Sequence, residues 1–157
     1  MRALVTGTFD PITLGHLHVI KKASEAFDEV TVLLCENFDK ESLFTSSQRK
    51  EIICSAVADM KNVSVEYHSG WLSDYLKEND NLVIFRGARN AKDFEYEKNM
   101  AEYHLENSGI NTLITFSSEK YSNISSTLVR ELISKRGDWE PLLHPSCVPL
   151  IREFLNL

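Results

Sequence analysis

Apolar residues in this chain gather in short, mostly continuous runs, separated by longer stretches of mixed pattern. The runs are residues 2–6, 30–35 (Val30-Thr31-Val32-Leu33-Leu34-Cys35), 63–67, 82–86 (Leu82-Val83-Ile84-Phe85-Arg86) and 111–116. They are rich in Val, Ile, Leu and Phe and mostly continuous rather than alternating, which predicts strands covered on both faces. Helical spacing between and after them predicts helices near residues 15–27, 46–60, 71–79, 91–107, 124–136 and 146–155. Thr45 or Ser46 can cap the second helix, with Gln48 or Arg49 in its first turn. Strand–helix alternation joined by right-handed crossovers predicts an α/β chain. The expected form is a doubly wound, Rossmann-like fold with a five-stranded parallel sheet and helices on both faces. No repeat, low-complexity segment or linker divides it, so residues 1–157 predict a single domain.

In such sheets ligands bind beyond the carboxyl ends of the strands, where strand order reverses. The polar clusters of this chain all fall there. Thr8 to His16 follow the first strand, Asn37 to Lys40 the second and Gly70 to Leu72 the third; Arg86 to Arg89 end the fourth, and Ser117 to Thr127 follow the fifth. Clusters so placed converge on one rim of the sheet.

The first cluster is the most specific. Strand residues Ala3-Leu4-Val5-Thr6 run into Gly7-Thr8-Phe9-Asp10-Pro11-Ile12-Thr13-Leu14-Gly15-His16, with a helix opening just after Gly15. A strand-to-helix turn of this kind points backbone N–H groups and the positive end of a helix dipole at one place, which suits a phosphate. Thr8 and His16 add side-chain donors. Neither the Walker pattern nor the Gly-x-Gly-x-x-Gly dinucleotide fingerprint is present. Arg86-Gly87-Ala88-Arg89 sets two guanidinium groups, suited to binding phosphate through a planar fork, about a Gly that permits a tight turn. Asp93, Glu95 and Glu97 follow at a helix start. They can offset the arginines, favour the helix dipole or contact a ribose or base. Tyr121-Ser122-Asn123-Ile124-Ser125-Ser126-Thr127 leads into another helix, and its hydroxyls serve equally as caps and as a second phosphate cradle. Lys40 lies in an acidic loop, either as a solvated lysine or as a ligand cation.

His16 and His18, two apart on a helix, point to different faces and do not pair around a metal. His68, His104 and His144 lack suitable neighbours and read as structural or surface residues. Nothing forms a Ser-His-Asp arrangement or a nucleophile elbow.

Composition narrows the classes further. With 17 basic against 23 acidic residues the net charge is −6, which argues against non-specific nucleic-acid binding but not against a small anion held by converging cations. No apolar run approaches the length of a membrane span, and Met1-Arg2 leads straight into a strand, so neither a span nor a signal peptide is expected. Cys35, Cys54 and Cys147 lack C-x-x-C spacing. Cys35 and Cys54 read as reduced core or near-core thiols, and a cytoplasmic location is expected.

The arrangement T-x-G-H at 13–16 resembles the HxGH signature of the nucleotidyltransferase superfamily. The sequence as a whole resembles the bacterial phosphopantetheine adenylyltransferase family within it. The likeness is carried by G-T-F-D-P-I-T-x-G-H at 7–16, F-T at 44–45, R-G-x-R-x3-D-F-E-Y-E at 86–97 and I-S-S-T-x-V-R at 124–130. It implies transfer of an adenylyl group from ATP to 4′-phosphopantetheine, giving dephospho-CoA and pyrophosphate, with Mg²⁺ carried by the ATP phosphates rather than by protein side chains. It also implies a homohexamer and coenzyme A as a product-type inhibitor.

Residue by residue, the resemblance assigns Thr8, Phe9 and His16 to ATP, together with Gly87, Ala88, Arg89, Glu97, Tyr121, Ser122, Asn123, Ile124, Ser125, Ser126 and Thr127. Phosphopantetheine falls to Thr8, Lys40, Leu72 and Arg86, and the catalytic role to His16, Thr8 and Lys40. The chain departs from the family in three places. Thr6 stands where many members have Pro, Ser69-Gly70-Trp71-Leu72 replaces a run such as Ser-Asp-Leu-Met, and Ala88 replaces a frequent Leu. Two other readings stay open: a nucleotidyltransferase acting on another acceptor, such as nicotinate mononucleotide or glycerol 3-phosphate, and a nucleotide-binding sensor without turnover.

Overall fold

The computed structural model describes residues 1–157. Strands β1 (Arg2–Gly7), β2 (Glu29–Cys35), β3 (Val63–His68), β4 (Leu82–Ala88) and β5 (Thr112–Phe116) form one parallel sheet in the order β3-β2-β1-β4-β5. Helices α1 (Leu14–Ala26), α2 (Ser46–Ala56), α3 (Leu72–Glu78), α4 (Ala91–Ser108), α5 (Ser126–Ser134) and α6 (Cys147–Leu155) complete the doubly wound α/β fold. Short 3-10 helices at Glu119–Tyr121 and Glu140–Leu142 were not part of the sequence expectation.

Alternate strand residues feed two cores. Ala3, Val5, Val30, Val32, Leu34 and Phe85 pack toward the larger, against Ile20, Ile53, Val129 and Ile151. Leu4, Leu33 and Ile84 turn to the smaller, against Tyr75 and Leu76. Continuous apolar runs are what burial on both faces demands.

Three sequence expectations need correction. Helix α2 stops at Ala56 rather than near residue 60, because Val57 leaves helical geometry and Met60 N–H turns back to the Val57 carbonyl at 2.9 Å. Cys54 is exposed rather than core, since α2 buries Arg49, Ile52, Ile53 and Ala56 on its other face. Cys35 is half-buried, with its thiol pushed up by burial to about 11, and Cys147 is buried against the Ile52 carbonyl. Strand β4 runs on through Ala88, so Gly87 serves no turn. A Cβ there would stand 2.5 Å from Val19 Cγ2, and the glycine is what lets α1 lie close on β4.

The pairing of β1 with β4 covers Arg2↔Leu82, Ala3↔Val83 and Leu4↔Ile84 and then stops. Beyond Leu4 the two strands part at the point where strand order reverses. That opening is the crevice in which ligands of doubly wound sheets bind.

Candidate active site

The opening widens into a cleft of about 570 Å³ at the carboxyl ends of β1 and β4, a size suited to a small-molecule ligand. It gathers Thr8, Phe9 and His16 from the β1–α1 junction, Lys40 from the β2–α2 connection, and Arg86, Gly87, Arg89 and Glu97 from β4 and α4. Tyr121, Ile124, Ser125, Ser126 and Thr127 line it ahead of α5 and at its start. Of the residues singled out in the sequence, Ala88, Ser122, Asn123 and Leu72 do not line this cleft. Leu72 instead lines a side cavity of about 170 Å³, which shares Thr6, Arg86, Tyr96 and Glu97 with it as a common wall.

His16 is placed by its own helix start. Thr13 is the N-cap of α1, so the helix opens at Leu14, one residue earlier than expected, and His16 is its third residue. Thr13 N–H donates to His16 Nδ1 at 3.0 Å, while His16 N–H reaches back to Thr13 Oγ1 at 3.5 Å. This is a capping box in which His replaces the usual Glu or Gln. Because Nδ1 accepts, the neutral ring carries its proton on Nε2. The edge-on Phe9 ring, 5.2 Å away between centroids, packs beside it. Burial first, then the Arg86 and Arg89 charges, push the imidazole down to about 4. At neutral pH His16 is therefore an uncharged hydrogen-bond donor, held in place before any ligand arrives.

Arg86 is oriented as firmly. Its Nε and Nη2 donate to Glu97 Oε2 and Oε1 at 2.9 and 2.8 Å. Nη1 donates to the Thr6 carbonyl, left unpaired where β1 and β4 part, and to Thr6 Oγ1 at 3.1 Å. Thr6 thus supplies two acceptors, one of them from its side chain. Arg89 Nε donates to Asp93 at 2.9 Å. Among the roles left open for the helix-start acids, Asp93 and Glu97 offset the two arginines. Asn90 rather than an acid caps α4, accepting from Asp93 N–H at 2.9 Å.

The junction is tied to the β2–α2 connection by residues that sequence patterns did not single out as functional. Asp10 accepts from the Leu43 and Phe44 amides at 2.8 and 3.0 Å. Arg49, almost wholly buried, donates to the Phe44 carbonyl at 3.1 Å, the Thr8 carbonyl at 3.0 Å and both Glu36 oxygens at 3.1 and 2.9 Å. Across the cleft Arg130 donates to the Asp10 carbonyl at 2.7 Å, and Ser126 Oγ to the Pro11 carbonyl at 2.8 Å. Ser125 caps α5 by accepting from Leu128 N–H at 3.1 Å. Two helix N-termini thereby face one cleft, an arrangement that favours anions.

Of the two readings left for His104, structural or surface, its burial selects the structural one. It is buried in the wall of the side cavity, where burial and the Arg86 charge push it down and Glu97 opposes them. Its spacing of seven from Glu97, with Met100 and Ala101 between, was the available signal for a shared helix face.

A strand-end cleft with paired arginines and two helix starts suits a ligand that carries phosphate. A family model described as cytidylyltransferase-like matches residues 4–132. The chain is 42% identical to a phosphopantetheine adenylyltransferase of Clostridium novyi, over 98% of this chain and 94% of that protein. It is 38% identical to one of Thermotoga neapolitana, over 99% and 98%, and 39% identical to one of Corynebacterium diphtheriae, over 97% and 96%. The chain belongs to the phosphopantetheine adenylyltransferase family of cytidylyltransferase-like proteins and is a nucleotidyltransferase.

Proposed function

We propose that the enzyme transfers the adenylyl group of ATP to 4′-phosphopantetheine, releasing pyrophosphate and forming dephospho-CoA in coenzyme A biosynthesis. The observation that carries this reading is a pair of adjacent compartments: a cleft with two helix starts, and a side cavity that shares Arg86 with it as a wall. A phosphate at that wall meets Arg86, and an arm attached to it can run past Leu72 into the side cavity.

The acceptor phosphate is anionic at neutral pH and attacks the α-phosphorus in line, so no general base is required. Alignment and charge stabilisation are what remain for the protein to supply. His16 donates from Nε2 to the developing charge, with Thr8 beside it and Lys40 supplying the cation. The α1 and α5 starts, with Arg89, Tyr121 and Ser125 to Thr127, hold ATP. No three metal-ligating side chains gather anywhere in the molecule. Within the cleft Asp10 is taken by the Leu43 and Phe44 amides, Glu97 by Arg86 and Asp93 by Arg89. This donor set fits Mg²⁺ held on the phosphates of ATP, where it would neutralise part of their charge.

The same reading includes a homohexamer, inhibition by coenzyme A and a cytoplasmic location. No helix is long and apolar enough to cross a membrane. Incubation with ATP and each of phosphopantetheine, nicotinate mononucleotide and glycerol 3-phosphate, read as pyrophosphate release, tests the substrate assignment. Release with phosphopantetheine is expected. Turnover with another acceptor alone, or ATP binding without turnover, overturns it. Light scattering on the eluted protein reads the assembly, and added coenzyme A reads the inhibition.

A further inference from the structure

Ser69-Gly70-Trp71-Leu72, where this chain departs from the family pattern, carries an exposed aromatic contact with the loop that bears Lys40. Trp71 and Phe38 are 66% and 60% exposed, yet their ring centroids stand 5.5 Å apart at 57°. Two large aromatic side chains this far out in solvent contribute little to a core, so their contact needs another reason.

Both partners are held from behind. On the Trp71 side, His68 Nε2–H donates to the Trp71 carbonyl at 3.0 Å, and the His68 ring packs edge-on against Tyr75 at 5.5 Å. Gly70 is part of this seat: a Cβ on it would lie 2.8 Å from His68 Nε2 and push the ring away. On the Phe38 side, Asn37 folds a tight turn. Its side chain accepts from Asp39 N–H at 3.1 Å, and its carbonyl accepts from Lys40 N–H at 3.2 Å. Phe38 and Lys40 therefore move as one turn, while Trp71 is the N-cap residue directly before Leu72.

We propose that the Phe38–Trp71 contact is a clasp that makes Trp71 a positioning residue for the acceptor. It fixes the Lys40 turn, which would grip the acceptor phosphate, relative to Leu72, which lines the cavity for the acceptor's arm. This rests on the phosphopantetheine reading above. Neither aromatic residue lines the cleft or the side cavity, so the clasp acts through the groups it spaces and not by touching substrate. Its loss should weaken acceptor binding and leave ATP binding untouched.

Steady-state kinetics on the full-length enzyme tests the clasp. Trp71→Ala is expected to raise the KM for phosphopantetheine about threefold to tenfold, the range of an aromatic pair, with the KM for ATP unchanged. Phe38→Ala should match it, the double variant should be no worse than either single one, and Trp71→Phe should restore most of the loss. Hydrogen exchange without substrate supplies a second readout: amides of residues 36–43 should exchange faster in Trp71→Ala, while those of α5 do not change. An unaltered acceptor KM beside normal wild-type turnover, an equal rise for both substrates, additive single effects or unaltered exchange overturns the clasp. A wild-type enzyme inert toward phosphopantetheine overturns the substrate reading instead, and the acceptor role with it.

Discussion

The β1–α1 junction and the β2–α2 connection line one cleft but are held in different ways. At the junction, His16 is fixed by the Thr13 amide, shielded by Phe9 and stripped of its charge. The connection is fixed firmly at its ends, by Arg49 on Glu36 and by Asp10 on Leu43 and Phe44, and between them only by the Asn37 turn and the exposed Phe38–Trp71 contact. Its middle is exposed, and the Lys40 side chain makes no hydrogen bond or ion pair. The difference follows from what each group does. A donor that stabilises developing charge is worth most when it needs no reorganisation. A cation that must admit and release an acceptor can leave part of its ordering until binding, at a cost in affinity.

The largest test removes the tie between the two regions. Arg49→Met leaves Glu36 without its partner and the Thr8 and Phe44 carbonyls without donors. Loss of one member of a buried ion pair costs about 3–5 kcal/mol, so urea unfolding should report a drop of that order; a change below about 1 kcal/mol would show that the regions stand independently. Next is His16→Ala. Losing such a donor costs roughly 3–4 kcal/mol, about 10²–10³ in kcat, with the Kd for ATP little changed. Near-normal turnover would remove His16 from the chemistry.

The charge state of His16 gives a third prediction. Its folded value of about 4 lies below the ordinary histidine value of 6.5, so the unfolded chain binds more protons between those limits. Stability should be intact above pH 6.5 and fall as pH drops toward 4, by about 3 kcal/mol from this group alone. His18 and His104 are shifted the same way and persist in a His16→Gln variant. The difference between wild-type and variant unfolding curves across that window therefore isolates His16, and parallel curves would mean the ring is not buried as a neutral group.

Which of these features could be read in advance depends on the range of the interaction. The central strands β1, β2 and β4 were legible because burial on both faces writes a continuous apolar run. The edge strands β3 and β5, more exposed, were legible from their β-branched and aromatic residues. The convergence of strand-end clusters was legible too, because parallel sheets place every such cluster on one rim. Arg49 was not: its helical spacing matches Ile52, Ile53 and Ala56, and a pattern reader has no means of knowing that a cation fills that place until Glu36 and Thr8 are brought to it. Glu97 could be placed near the arginines but not paired with Arg86 rather than with ligand, since eleven residues and a strand-to-helix turn separate them. Thr13 escaped because a capping box is sought as Glu or Gln three residues on, and here the third residue is His.

Arg86 and Thr13 probe the comparison on a smaller scale. Hydrogen bonds to charged groups are worth about 1.5–3 kcal/mol, so Arg86→Ala should raise the KM for phosphopantetheine about tenfold to a hundredfold. An unchanged KM would refute its assignment to the acceptor. Thr13→Ala separates the two halves of the capping box. The hydroxyl, which receives His16 N–H at 3.5 Å and stands 3.1 Å from Nδ1, is lost; the backbone amide that holds Nδ1 at 3.0 Å stays. An N-cap loss costs about 1 kcal/mol, so the melting temperature should fall by a few degrees. Turnover should drop less than threefold, because the main-chain amide still holds Nδ1 once the hydroxyl is gone. A kcat loss approaching that of His16→Ala would place the orienting role on the Thr13 side chain, and the junction would then owe its rigidity to one hydroxyl.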